Sequence, residues 1–434
     1  MDKMADVLGR AGAWCGQNKY LSAIKNAFQN FMPLTIAGAI GVLWCNVLVN
    51  ESTGLGIFFK PIMALEFLNP AFQAVNFCTI SCITVGITLG IAQEIGVWNM
   101  GAERAGYIPG LVGLAAWLSV TNTSHMVDGA KEAFTGVAGN ELGATGLFTG
   151  MIIGVLSVEL FCFFEKQDAL KIKMPEQVPP GVARAFEVLV PATITLIITA
   201  CIGSACYNLT GLYLNDVIKN GIQGPLGAVG ATIPGVMIIY LVIMLFWLVG
   251  IHGNNMLSAV KEALFTPLAL ENVEKFNKGE KPTNIINMYF LQMCGEFGGS
   301  GVTIGLVIAI MIFGKREDNK AIATLSLVPG LFNINETVTF GIPMVLNPIL
   351  GIPFVVAPLI TIIIGYVLTV IGFCPVACLT VPWTTPPIVF GFLACGANVM
   401  GAVTQAILIV VSTVIYVPFL ISYEKYQNKQ AAEA

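Results

Sequence analysis

Apolar runs long enough to cross a membrane recur along the whole chain, and this recurrence constrains the fold more than any other feature. A hydrocarbon core about 30 Å thick takes roughly 20 apolar residues per helical crossing. Of the 434 residues, 56% are hydrophobic and 11% are charged, less than half the charged share of an ordinary soluble domain. The chain therefore reads as an all-α polytopic membrane protein of about ten transmembrane helices. A net charge of -4 gives no reason to expect nucleic acid. The eleven cysteines lie mostly inside apolar runs, at neither zinc-like nor CxxC spacing, and read as small packing residues. No Walker A loop, no GxGxxG before a helix and no HExxH occurs, so neither cofactor nor metal is expected.

Composition shifts divide the chain. Residues 1–27, with Lys3, Arg10, Lys19 and Lys25 between apolar side chains, predict an interfacial amphipathic helix; no cleavable signal peptide is expected. Spans near 28–50, 76–95, 107–120 and 145–164, with a polar external loop at 121–144, make a first membrane subdomain, 28–164. The charged, Pro-rich stretch 165–186 is the clearest break and reads as a cytoplasmic connector. A second membrane subdomain, 187–424, holds spans near 187–207, 229–251, 349–373 and 397–420. A tail, 425–434, ends the chain. Lys and Arg gather at the N-terminus, the connector, residues 315–320 and the tail, which places both termini in the cytoplasm of a multi-pass plasma-membrane protein. Residues 252–313 do not parse into simple spans, because the charge clusters at both ends look cytoplasmic. That parity problem points to re-entrant hairpins.

The stretch 327–348 carries the strongest functional signal. Pro329, Gly330, Gly341, Pro343 and Pro348 break an otherwise apolar run. Inside it lies one carboxylate, Glu336, among Asn333, Asn335, Thr337 and Thr339. Irregular backbone at membrane depth persists only where protein or a watery cavity satisfies it, and an ionisable residue there is a functional candidate. The other reading is a polar loop with Glu336 simply solvated. Of the two histidines, His125 falls in the external loop and reads as solvated. His252, in GIHGNN with Asn254 and Asn255, is either a site residue or a helix-end residue bonded to backbone. Trp383 beside Thr384 in PWTTPP offers a stacking face for a sugar ring, or belongs to the aromatic belt of the membrane interface. Asn284, Asn287 and Gln292 either line the same cavity or cap helix ends. Buried acids are few, which disfavours a proton-driven relay.

These motifs carry a resemblance to a known family. AIKNAFQNFMPLTIAGAI (23–40), MPEQVPPGVARAFEVLVP (174–191), GIHGNN (250–255), PTNIINMYFLQM (282–293), LVPGLFNINETVTFGIPMVLNP (327–348) and PWTTPP (382–387) together resemble the enzyme IIC membrane component of bacterial phosphoenolpyruvate-dependent sugar phosphotransferase systems, in the lactose/cellobiose/diacetylchitobiose branch. The family usually has Pro straight after the glutamate, where this chain has Thr337. The resemblance implies a homodimer with its interface on the N-terminal spans, a sugar site in the C-terminal half, and re-entrant hairpins near His252 and Glu336. It implies inward translocation of a β-linked disaccharide, phosphorylated on release by a phosphocysteine of a separate IIB protein that is itself served by a IIA protein. Glu336 and His252 are then the expected catalytic pair, with Asn254, Asn255, Asn284, Asn333, Asn335, Trp383 and Thr384 expected around the sugar. No autonomous kinase activity is expected. The competing reading is an ion-coupled secondary sugar transporter; a membrane scaffold would not need broken helices with polar centres.

Overall fold

The computed structural model describes residues 17–433 apart from 52–55, 57–58, 126–133, 176 and 343, together with residues 10, 13 and 14. Lys3 and Pro343, used above, lie outside the described residues. The architecture is helical; the strands among the described residues are a two-residue pair, Ser124–His125 with Phe134–Thr135, inside the predicted external loop. Among the described residues, six helices are long and apolar enough to cross a membrane, or seven if one bent pair counts as a span. Two further apolar helices, Ile108–Val120 and Ile233–Leu248, are shorter.

The chain divides into two compact units, one of residues 17–38 and 74–228, the other of 1–16, 39–73 and 229–434. The first holds residues 19–38 of α1 (Lys19–Leu43), which begins well before residue 27, so residues 19–27 of the predicted interfacial segment and the first span share one helix. It is joined by α2 (Ile83–Met100), α3 (Ile108–Val120), α4 (Leu147–Glu165) and α5 (Pro180–Thr210). Ile83, Ile87, Ile91 and Ile95 recur every fourth residue of α2, at most 1% exposed, so they form one continuous packing stripe. Ala116 and Trp117 of α3 and Leu147, Val158 and Phe161 of α4 are equally buried. Thr84 Oγ1 donates to Gly143 O at 2.7 Å, tying the loop before α4 to α2. The units part at 228/229 rather than within the connector, because α5 packs on α3 and α4.

In the second unit, α6 (Ile233–Leu248) and α7 (Ser258–Asn277) precede α8 (Met288–Gly295) and α9 (Ile304–Phe313). The pair formed by Met288–Val302 and Ile304–Phe313 bends by 59° at its break. Then follow α10 (Glu317–Leu331), α11 (Glu336–Gly341), α12 (Gly351–Val370), α13 (Val389–Ala394) and α14 (Val399–Glu433). The expected tail is not separate: α14 stays helical to Glu433. The breaks survive because buried amides satisfy their backbones, as membrane depth requires. Gln405 Oε1 accepts from Ile388 N at 2.7 Å and Gly391 N at 2.8 Å, while its Nε2 donates to Met293 O at 3.1 Å. Asn272 does the same for the chain after α7, accepting from Thr283 N and Asn284 N and donating to Asn284 O and Ala377 O.

Candidate functional site

Past its last helical turn α6 reverses, with Ile251 N donating to Phe246 O at 3.0 Å. His252 then caps a single helical turn, Gly253–Met256. Its Nδ1 accepts from Asn255 N at 3.2 Å, so the neutral imidazole carries its proton on Nε2. That nitrogen lies 3.8 Å from Glu336 Oε1. The Trp247 ring, 4.5 Å from the imidazole between centroids, backs the histidine.

Glu336 arrives by a second break. At Pro329 and Gly330 the ladder of α10 closes into short turns, with Phe332 N and Ile334 N both donating to Pro329 O. Asn333 is left-handed, at φ 62°, a conformation that Asn tolerates better than most residues. Its side chain accepts from Gly298 N at 2.6 Å and donates to the carbonyls of Trp383 and Thr385. One amide thus ties three interrupted segments. Asn335, buried, donates from Nδ2 to Ser300 O at 2.8 Å and to Thr339 Oγ1 at 3.2 Å. From the other side Asn254 Nδ2 donates to Ser300 Oγ at 2.8 Å. Ser300 therefore joins the His252 turn to the Glu336 turn. Both neighbouring glycines need a positive φ. At Gly299 (φ 89°) an added Cβ would meet Asn335 at 2.6 Å, and at Gly301 (φ 79°) the Phe354 ring at 2.4 Å. Glu336 is the first residue of α11 and Thr337 the second, within the first helical turn, where a proline ring is also tolerated.

A second layer holds the first. Lys261, 6% exposed, pairs with Glu296 and reaches Asn254 Oδ1 at 3.5 Å. Tyr240 donates to Glu296 Oε1 at 2.7 Å. Tyr240, Lys261, Glu296 and Ser300 were not predicted. The available signal was a lysine on α7 facing a stretch whose one carboxylate, Glu296, follows Gly295. Of the predicted residues, His252, Asn254, Asn333, Asn335 and Glu336 come together. Trp383 is joined through its carbonyl and the residue is 44% exposed, while Thr384 beside it is half-buried. Asn255 is exposed and lends its backbone N–H to His252. Asn284 is placed elsewhere: its amide donates to Leu268 O and Glu271 Oε2, fastening the loop to α7. Asn287 caps α8 through Tyr289 N and Phe290 N.

The side chains of His252 and Glu336 are 36% and 47% exposed. Their 3.8 Å gap exceeds a hydrogen bond, and a hydroxyl oxygen set between them can donate to the carboxylate while accepting from Nε2. Glu336 is also a base within reach of that hydroxyl's proton.

Broken apolar helices whose reversals converge on an acid, an imidazole and several amides define a membrane transporter with a polar site at its helix breaks. A family model described as "Phosphotransferase system, EIIC" matches residues 25–358, and the chain belongs to that family. It is 32% identical over 429 residues to the oligo-beta-mannoside-specific EIIC component of Bacillus subtilis, covering 98% of this chain and 94% of that one. It is 30% identical to the cellobiose-specific EIIC component of Lactococcus lactis, covering 98% of each. The lactose-specific EIICB component of Streptococcus mutans is 28% identical over 96% of this chain, which spans 71% of that longer protein. Among solved structures, ChbC, the IIC component from the N,N'-diacetylchitobiose-specific phosphotransferase system, matches with a TM-score of 0.88 and 29% identity, covering 97% of both chains.

Proposed function

We propose that this chain is the sugar permease of a phosphotransferase system, carrying a β-linked disaccharide of the cellobiose, diacetylchitobiose, lactose or oligo-β-mannoside type inward for phosphorylation by a IIB partner. The observation that carries the reading is the facing pair of His252 Nε2 and Glu336 Oε1, 3.8 Å apart, on two membrane breaks joined through Ser300. The family supplies the IIB and IIA partners, and the relatives' substrates supply the sugar class. Glu336 accepts the proton of the sugar hydroxyl as that oxygen bonds to phosphorus and the phosphorus–sulfur bond of the IIB phosphocysteine breaks. His252 donates from Nε2 to the same oxygen and orients it. Phosphoryl transfer depends chiefly on such in-line positioning and on charge stabilisation. The Trp383 ring is the stacking platform, with Thr384 at its side. A homodimer joined through the N-terminal spans, and cytoplasmic termini at a bacterial plasma membrane, belong to the same proposal; they rest on the resemblance and on the Lys/Arg bias.

The test is binding of cellobiose, diacetylchitobiose, lactose and an oligo-β-mannoside to the purified chain, followed by phosphorylation with IIB and IIA added. Glu336→Gln keeps the shape and loses the charged acceptor. It should weaken the bound sugar roughly 10- to 100-fold and stop phosphorylation. Unchanged affinity and turnover in Glu336→Gln would refute the site.

A further inference from the structure

A cavity of about 700 Å³ lies within the first unit, where the end of α4 and the start of α5 meet the connector. The sugar-site reading does not use it. Its polar part is built from charge. Arg104, Lys171, Lys173 and Arg184 stand against Asp168, Glu187 and, beneath them, Glu165.

The carboxylates are all engaged. Glu165, 3% exposed, is held by Arg104 at 2.8 Å and Arg184 at 3.0 Å. Glu187 takes Arg184 at 2.8 Å and Arg104 at 2.9 Å. Asp168 takes Lys171 at 3.1 Å. Donors remain. Lys173 is exposed and has no salt-bridge partner among the described residues, and the Arg104 side chain, although paired, is still 47% exposed. The four cations exceed the three carboxylates by one positive charge.

The rest of the surroundings is apolar. Ile172, Met174 and Ala183 line the cavity. Ile172, Val182, Phe186 and Leu189 are 39%, 46%, 39% and 49% exposed, on and beside a helix whose membrane-spanning window is only 22% buried. Surplus cationic donors at the end of two spans, beside uncovered apolar side chains, suit an amphiphile with a phosphate head. Juxtamembrane basic pockets recognise anionic lipids in this way.

We propose that the pocket bounded by Arg104, Lys173 and Arg184 binds a phosphate anion, supplied by the headgroup of an anionic phospholipid whose acyl chains lie along the exposed face of α5. Lys173 and the half-exposed guanidinium of Arg104 donate to the phosphate, and the Glu165 pairs keep both arginines in place. The proposal is independent of the sugar assignment.

The full chain is purified in neutral detergent, and its thermal unfolding is followed as phosphatidylglycerol, phosphatidylcholine or inorganic phosphate is titrated. Phosphatidylglycerol should raise the midpoint saturably, and phosphatidylcholine should not. Lys173→Gln should weaken the phosphatidylglycerol response roughly fivefold, Lys173→Arg should retain it, and both variants should unfold with the wild-type midpoint before lipid is added. The same Lys173-dependent rise with inorganic phosphate alone would keep the anion site and assign it to a soluble phosphate. Equal responses to both lipids, or a phosphatidylglycerol response unchanged in Lys173→Gln, would overturn the proposal. So would a pocket that ignores every phosphate probe and instead takes up an acidic soluble protein.

Discussion

Single side chains in this protein act through what they hold. Lys261 is buried and Glu296 mostly so, and Tyr240 and Asn254 complete their bonds. Removing one partner leaves the other's charge largely buried and unpaired, at a cost of up to about 3–5 kcal/mol. Lys261→Met should therefore lower the unfolding midpoint in detergent substantially, whereas Lys261→Met combined with Glu296→Met should recover most of the loss. A double variant no more stable than the single one would show that the pair does not carry this energy. Disaccharide affinity should fall in both, because Asn254 loses a bond in each. The sequence made Glu336 legible because it is a lone carboxylate in a Pro- and Gly-broken apolar run. Asn333 and Asn335 were legible as its neighbours. Lys261 was not, since a lysine on a helix with other charges nearby looks solvated, and only the fold brings Glu296 opposite it. Asn284 shows the converse: an amide suited to a sugar is spent on Leu268 O and Glu271.

At the level of elements, the breaks are set by backbone geometry as much as by composition. Gly301 holds a φ of 79° between α8 and α9, and its carbonyl accepts from Tyr416 OH at 2.7 Å. Gly301→Ala meets two penalties, an unfavourable φ of about 1–3 kcal/mol and a Cβ 2.4 Å from the Phe354 ring. The variant should unfold earlier and transport poorly. Adding Phe354→Leu should relieve the steric part and leave the φ part, so rescue is incomplete. Full rescue would mean that the left-handed backbone is not needed for the bend. Gly and Pro made these breaks readable, since hydropathy and turn chemistry both change there. Helix limits were less readable. Hydropathy follows transfer into lipid, whereas a helix continues wherever its ladder is satisfied. Thus α14 runs through the charged residues to Glu433 and α1 starts at Lys19.

At the scale of the whole molecule, the residues assigned to the sugar all fall within the unit that contains 229–434. The composition break at 165–186 did not reveal this division, because a charged linker marks an exit from the membrane and not a packing boundary. α5 follows the linker and still packs with the spans before it. This confinement makes a spatial prediction. A disaccharide at a hundred times its dissociation constant stabilises the state that binds it by about 2.7 kcal/mol. Hydrogen exchange should then slow at the segments that converge on the site, namely 250–256, 298–303 and 332–341. Helices α2 and α3, which supply no residue to the site, should exchange at unchanged rates. Glu336→Gln should reduce the protection at all three segments together, because Ser300 and Asn333 tie them into one cooperative group. Protection of only the 332–341 segment would mean that the His252 turn does not contact the sugar. Equal protection of α2 would mean that the site is not confined to this unit.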